Sequence, residues 1–312
     1  MALAKINLGA TGLQEHATGA APETALAPFA DQDGPVIVMI HGFKFAPGSA
    51  AYCPHEHILS PRPETHCWKA KSWPTELGLT GRDDHLGIAF GWPARGSIWQ
   101  AYGRAAEAGR ALARLIRLLH RLAPQRPVHI LAHSLGARVA LSALAHLGPG
   151  MLDRLVLLAG AEFHASAADM LATPAGRTAE VISITSRENH PYDRLLERAL
   201  GSAATGRAVG RQAPVAPNWL TLAIDDREVL GALSTLGCDI APPQRWICHW
   251  SSYLRPGVFS LYSALLTDAQ TLPLAQLRRV AMAARDDSPH RGWSRLRPSF
   301  ALPGFGFGRA AG

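Results

Sequence analysis

The stretch VHILAHSLGARVAL, residues 128–141, runs apolar as far as His133, turns at Ser134 and resumes as an amphipathic run. Its first half has the length and composition of a buried strand, and its second half has the spacing of a helix. A tight turn between the two needs small residues two positions before and two positions after the serine, which Ala132 and Gly136 provide. The stretch therefore predicts a strand–turn–helix unit that projects the Ser134 side chain from its turn.

Short apolar runs alternate with helical patterns along most of the chain. Further buried strands are expected at 34–43, 85–96, 152–161, 179–186 and in RWIC, 245–248. Helices are expected at Ser97–Ala123, 135–147 and Val258–Leu266. This alternation is typical of an α/β protein with a mostly parallel central sheet flanked by helices on both faces. Ligands of such sheets bind at the carboxyl ends of the strands.

The domain organisation follows from where this alternation holds. Residues 34–270 are expected to form the α/β domain. Two stretches without clear periodicity, 44–85 and 187–243, are expected to be irregular cover segments. Residues 1–33 are predicted to be a loosely ordered lead-in, and 286–312 a poorly ordered basic tail.

Composition excludes several classes of protein. The 312 residues carry a net charge of +7, but the basic residues are nearly all arginine and do not form the clustered pattern typical of nucleic-acid binding. Four cysteines are too few for a disulfide framework. The chain has no apolar signal region near its start and no uncharged apolar stretch of membrane-spanning length. We therefore expect a soluble cytoplasmic protein, and the sequence does not predict an oligomeric state.

Ser134 is the candidate nucleophile because a serine held on such a turn is exposed to a substrate. The helix that starts near Leu135 directs its amides toward the same point. A second turn, His41-Gly42, closes an earlier strand. The main-chain amides of Phe43 and Leu135 are therefore candidates to bind an oxyanion.

The base and the acid must come later in the chain. His249 directly follows the expected strand RWIC and is the preferred base over His190 and His290. The acid is expected after the strand at 179–186. Asp193 is preferred there, Glu188 is the alternative, and Asp225 and Asp226 are more remote possibilities.

The order of these features resembles the α/β-hydrolase superfamily. The segments WKAKSWP, SREN and CHWSSYLRPG are similar to a group of uncharacterised bacterial hydrolases. The resemblance implies that Ser134, His249 and an acid form a triad that cleaves an ester-type bond of a small or medium apolar acyl substrate through an acyl-enzyme. The mechanism that the resemblance implies requires no metal and no organic cofactor. A thioesterase or amide hydrolase with the same triad, and a non-catalytic binding protein of this fold, are the alternatives.

Histidine and cysteine are also dense in the first cover segment. The group comprises Cys53, His55, His57, His66 and Cys67. Its spacing does not match the paired ligands of a structural zinc site. No metal site is therefore predicted.

Overall fold

The computed structural model describes residues 2–63, 67–82, 84–202 and 204–286. The chain forms an eight-stranded sheet with the order β2-β1-β4-β3-β5-β6-β7-β8. The β1–β2 pair is antiparallel, and every other neighbouring pair is parallel. The strands are β1 Ala2–Gly9, β2 Gly12–Glu15, β3 Val36–Ile40, β4 Leu86–Gly91, β5 Val128–His133, β6 Arg154–Leu158, β7 Glu180–Thr185 and β8 Trp219–Ala223.

Helices cover both faces of this sheet. They are α1 Pro22–Leu26, α2 Trp73–Glu76, α3 Ile98–Leu122, α4 Leu135–Leu144, α5 His164–Leu171, α6 Pro174–Thr178, α7 His190–Leu200, α8 Arg227–Ser234, α9 Ser251–Leu254, α10 Val258–Leu266 and α11 Leu274–Asp286. Alternate residues of the central strand β3 enter different cores. Val38 packs on the side of α3 and α4, and Met39 packs on the side of α10 and α11. The predicted fold class, a mostly parallel sheet with helices on both faces, is confirmed.

The long helix α3 follows from its sequence pattern. Its apolar residues recur three or four apart and enter the core next to α4. Ser97 caps its N-terminus by accepting from the Gln100 backbone N–H, and the Gln100 side chain accepts from the Ser97 N–H. These two bonds form a capping box, which satisfies amides that the first helical turn leaves unpaired.

Three expectations about the chain's organisation are wrong. Residues 1–33 are not a loose lead-in, because β1 pairs with β4 and its Ile6 is fully buried. The run RWIC, 245–248, forms no strand, and β8 occupies the sheet edge instead. Segment 187–243 is not an irregular cover, because it contributes α7, β8 and α8.

The end of the predicted domain also differs from the structure. Helix α11, beyond residue 270, packs Leu277 into the same core as α10. The expected tail at 286–312 lies outside the described residues apart from residue 286. Among the described helices, none has both the length and the apolar composition that a membrane crossing requires.

Candidate active site

Ser134 lies on the sharp turn between β5 and α4. Its backbone has φ 55° and ψ −124°, a conformation that L-residues rarely adopt. Two hydrogen bonds hold it there: the Ser134 N–H donates to the Leu158 carbonyl at 3.0 Å, and the Ala161 N–H donates to the Ser134 carbonyl at 3.0 Å. These bonds fix the turn that carries Ser134 to the end of the neighbouring strand β6.

Two glycines allow this turn to approach the end of β3. A Cβ atom on Gly136 would lie 2.7 Å from the Ile40 carbonyl oxygen and 2.8 Å from that of His41. A Cβ atom on Gly42 would lie 2.8 Å from the Cβ of Ser134. Both positions therefore require glycine, and the predicted supporting turn at His41-Gly42 lies directly against the serine.

His41 is buried next to the site and does not line the cavity. Its Nδ1 donates to the Gly42 carbonyl at 2.9 Å, and its Nε2 accepts from the Trp92 N–H at 3.1 Å. The ring stacks on Trp92 with centroids 5.6 Å apart. Complete burial lowers the pKa of His41 to about 4. A neutral His41 therefore fixes the turn that carries the Phe43 amide.

Ser134 and His249 are in hydrogen-bond contact across 115 residues of chain. The His249 Nε2 lies 2.8 Å from the Ser134 Oγ. His249 lies in the loop before α9, and its main-chain carbonyl accepts from His133 Nε2 at 3.0 Å. Tyr192 stacks on the imidazole with centroids 4.7 Å apart. The structure thus brings the predicted nucleophile and the predicted base together.

The residue behind His249 is Asn189, which the sequence analysis missed. Its Oδ1 lies 2.6 Å from the His249 Nδ1. Its Nδ2 donates to Asp193 Oδ1 at 2.9 Å. The prediction that Asp193 contacts the base is therefore wrong. The Asn189 side chain lies between them, and Asp193 reaches His249 only through this amide.

This chain of contacts has one consistent arrangement of protons. Because the Asp193 oxygen accepts from Asn189, the amide turns its oxygen toward His249. That oxygen accepts a hydrogen bond from the protonated His249 Nδ1, which leaves Nε2 unprotonated and free to accept from the Ser134 hydroxyl. The neighbours of Asn189 thus select the histidine tautomer in which Nε2 is a base.

Glu188 does not contact His249, so its candidacy as the acid is also corrected. Its carboxylate forms a buried ion pair with Arg255 and accepts from the Ser186 hydroxyl at 3.1 Å. The Glu188 carbonyl accepts from the Cys248 N–H at 3.0 Å. Since Glu188 precedes Asn189 and Cys248 precedes His249, these bonds hold the two loops in register. The remote candidate Asp225 pairs with Arg187, and Asp226 caps α8.

Burial dominates the electrostatics of the site. It lowers the pKa of His249 well below the usual value, with His133 and Lys69 adding smaller effects of the same sign. Burial also raises the pKa of Asp193 to about 7, and the nearby Glu197 adds to the increase. A neutral imidazole beside the serine hydroxyl is the protonation state that general-base chemistry requires.

A cavity of about 820 Å³ lies over Ser134. Its lining includes Phe43 and Leu135, whose main-chain N–H groups have no acceptor among the described residues. Most of the remaining surface is apolar, and its lining side chains include Phe45, Ile98, Trp99, Leu195, Leu196 and Tyr253. The site therefore combines a serine–histidine pair, two unpaired amides and an apolar chamber.

A separate cluster could hold a metal ion. Ligand atoms of His16, Cys53 and Glu56 lie within 4.8 Å of one another. Of these three, only Cys53 belongs to the histidine and cysteine group of the first cover segment. From that group, His55 Nε2 instead lies 2.6 Å from the Asn7 side-chain oxygen, and His57 lines the cavity. His66 lies outside the described residues.

Comparisons with known proteins agree with this architecture. Residues 20–155 match the model of a family described as an alpha/beta hydrolase of unknown function (DUF900). No curated protein matches the chain.

Two solved structures show a weak likeness to the chain. One is a lipase-esterase related protein from Clostridium acetobutylicum ATCC 824, with 9% identity, a TM-score of 0.29, and coverage of 61% of this chain and 84% of that one. The other is Trichoderma reesei cutinase in complex with a C11Y4 phosphonate inhibitor, with 12% identity, a TM-score of 0.29, and coverage of 84% and 89%. Likenesses this weak carry no argument about function. The sheet order with its sharp turn after β5, together with the family match over residues 20–155, shows that the chain has an α/β-hydrolase fold.

Proposed function

We propose that the protein is a serine hydrolase that cleaves carboxylic esters through an acyl-enzyme. The observation that carries the proposal is the 2.8 Å contact between Ser134 Oγ and His249 Nε2, on a strained turn at the carboxyl end of a parallel strand. A serine that only capped α4 would accept from an amide of the first helical turn, and Ser134 makes no such bond. The hydroxyl is instead directed to the imidazole.

In the first half-reaction, His249 Nε2 takes the hydroxyl proton as Ser134 Oγ bonds to the ester carbonyl carbon. The carbonyl oxygen becomes an oxyanion, which the N–H groups of Phe43 and Leu135 stabilise. When the tetrahedral intermediate collapses, the bond to the alkoxy oxygen breaks and His249 gives its proton to the leaving alcohol. Water then repeats these steps on the acyl-enzyme, which releases the acid and restores the serine.

Asn189 takes the position that a carboxylate occupies in the commonest triads. A neutral amide orients the imidazole and selects its tautomer, but it adds no negative charge to stabilise the imidazolium. Cysteine proteases of the papain type use the same residue in this role. Asp193 keeps the amide oxygen, rather than the amide nitrogen, facing His249.

The apolar lining of the cavity over Ser134 favours a substrate with an apolar acyl group. The cavity volume, about 820 Å³, is within the range of sites that enclose small or medium ligands. The lining side chains Phe45, Ile98 and Leu196 offer no hydrogen bonds, so chain length and shape rather than polarity would select the acyl group.

Hydrolysis of p-nitrophenyl butanoate by the full chain tests the proposal. Ser134→Ala is expected to lower kcat at least about 10³-fold, because it removes the nucleophile. Ser142→Ala on the same helix is the matched control, since Ser142 does not line the cavity. Equal rates for wild type and Ser134→Ala, or no turnover of any short ester by folded wild type, would contradict the proposal.

A further inference from the structure

The charged side chains that line the cavity are mostly cationic. Two of the chain's four lysines, Lys44 and Lys69, line it. Among the described lining residues, Asp193 is the sole acidic one, and it is buried behind Asn189 with its pKa raised to about 7. The wall that a substrate meets is therefore apolar with two ammonium groups and little compensating negative charge.

Lys69 lines the same cavity as His249 and contacts Trp250, the residue that follows His249. Its Nζ lies 4.1 Å from the centroid of the Trp250 ring and 5.7 Å from that of Trp68. The Trp250 ring in turn lies 5.9 Å from the His249 imidazole, so one aromatic ring separates the ammonium from the base. The ammonium is near enough to lower the pKa of both His57 and His249.

The two tryptophans hold a second cation nearby. Trp68 and Trp250 meet edge to face at 5.6 Å, and the Arg245 guanidinium lies 4.6 Å from the Trp68 ring. A ring contact attracts a cation without saturating its N–H donors. Within the described ranges, Lys69 and Arg245 form no ion pair, whereas neighbouring Lys71 pairs with Glu76 at 3.0 Å. The Lys69 ammonium thus keeps donors available on the cavity wall.

We infer that Lys69 binds an anionic oxygen group of the substrate, so the preferred substrate is an ester that carries a carboxylate or phosphate in addition to its apolar acyl part. The inference rests on the proposed function and specifies its substrate class. Anchoring by Lys69 places the charge at the Trp68–Trp250 wall and leaves the ester to reach Ser134. Lys44, exposed on the wall next to Phe43, adds positive potential without a defined contact.

The test compares pairs of esters that differ in charge. For an anion in the acyl part, the pair is p-nitrophenyl hemiglutarate and p-nitrophenyl methyl glutarate. For an anion in the alcohol part, it is 4-butanoyloxybenzoate and its methyl ester. A fifth ester, 4-butanoyloxyphenyl phosphate, is compared with the neutral methyl ester of the second pair and distinguishes a phosphate from a carboxylate. The readout is the ratio of kcat/KM for the charged ester to that for its neutral partner, which cancels any general change in activity.

Lys69→Met is expected to lower this ratio about 10- to 100-fold in at least one series, the effect of losing one charge-assisted hydrogen bond. Lys69→Arg keeps the charge and is expected to retain most of the ratio. Lys71→Met, two residues away and outside the cavity lining, is the matched control and is expected to leave the ratio unchanged.

A ratio that Lys69→Met leaves within about twofold of wild type in every series, while neutral esters are hydrolysed, overturns the inference and leaves the hydrolase proposal standing. A fall that Lys71→Met reproduces also overturns it, because the loss would then reflect overall charge. No hydrolysis of any ester, charged or neutral, contradicts the proposed function and this inference with it.

Discussion

Replacing Asp193 with asparagine removes a carboxylate that burial drives toward its neutral form. The Asp193 side chain is 3% exposed, and its Oδ2 has no hydrogen-bond partner among the described residues. Its Oδ1 accepts from Asn189, which an asparagine at 193 can also do through its carbonyl oxygen. The substitution therefore preserves the contact that orients Asn189 while it abolishes the titration.

The size and sign of the effect follow from the pKa. Burial, with a smaller contribution from Glu197, raises the pKa of Asp193 to about 7 in the folded chain, against about 3.9 in an unfolded one. Between these values the folded state holds a proton that the unfolded state has lost. The stability that this proton gives is therefore complete below about pH 3.9 and is lost as the pH rises through 7. Linkage gives about 3 kcal/mol of unfolding free energy gained by wild type between pH 8 and pH 5.

Urea unfolding of wild type and Asp193→Asn at pH 8 and pH 5 measures this effect. Any constant cost of placing an amide at 193 is equal at both pH values and cancels in the comparison. We expect the stability of wild type relative to Asp193→Asn to increase by about 3 kcal/mol on going to pH 5. Asp169→Asn, an exposed carboxylate on α5, is the control for the loss of one charge. A change below about 1 kcal/mol, or one equal to that of the control, would refute the reasoning.

Three further changes probe the parts of the site. Asn189→Ala removes the acceptor that selects the His249 tautomer and is expected to lower kcat about 10²- to 10⁴-fold, with KM little changed. Steady-state kinetics on p-nitrophenyl butanoate measure this loss, and a fall in kcat below tenfold would contradict the role of Asn189 as the orienting residue. Glu188→Gln breaks the buried pair with Arg255 and is expected to cost about 3–5 kcal/mol in urea unfolding, while kcat at a temperature where the variant is folded stays within about tenfold of wild type. A 10³-fold loss of kcat there would restore Glu188 as a candidate acid. Gly136→Ala pushes a methyl group against two carbonyl oxygens and is expected to cost about 1–3 kcal/mol, whereas an unchanged midpoint of thermal unfolding would show that the turn can relax.

The sequence predicted the central part of the fold because strong patterns mark it. Strands β3 to β7 are short, mostly apolar runs that are buried almost throughout, and α3 carries a regular apolar face with a capping serine. The first strand was missed because Ile6 is its one β-branched residue and because Lys5 and Asn7 interrupt its apolar residues near an edge of the sheet. RWIC was misassigned because a run of four residues does not distinguish a strand from a fixed loop.

The site was predictable where a turn pattern and the order of residues along the chain determine which side chain acts. Ser134 and His249 were found from the turn pattern and the chain order, and the structure places them in contact. Asn189 was missed because a charged residue was expected behind the histidine, and Glu188 and Asp193 flank it. A signal existed in the spacing: Asn189 and Asp193 are four residues apart at the start of α7, where such residues face each other. The pairing of Glu188 with Arg255, 67 residues away, had no counterpart in local sequence.

Covalent labelling of the full chain with a fluorophosphonate tests most directly whether Ser134 is an activated nucleophile. The reagent phosphonylates a serine hydroxyl whose proton an adjacent base removes, and it forms no such adduct with a serine that only caps a helix. We predict one adduct per chain, located by peptide mass spectrometry at Ser134, lost in Ser134→Ala and strongly slowed in His249→Ala. An unlabelled folded wild type, or equal labelling of Ser134→Ala, would contradict the account.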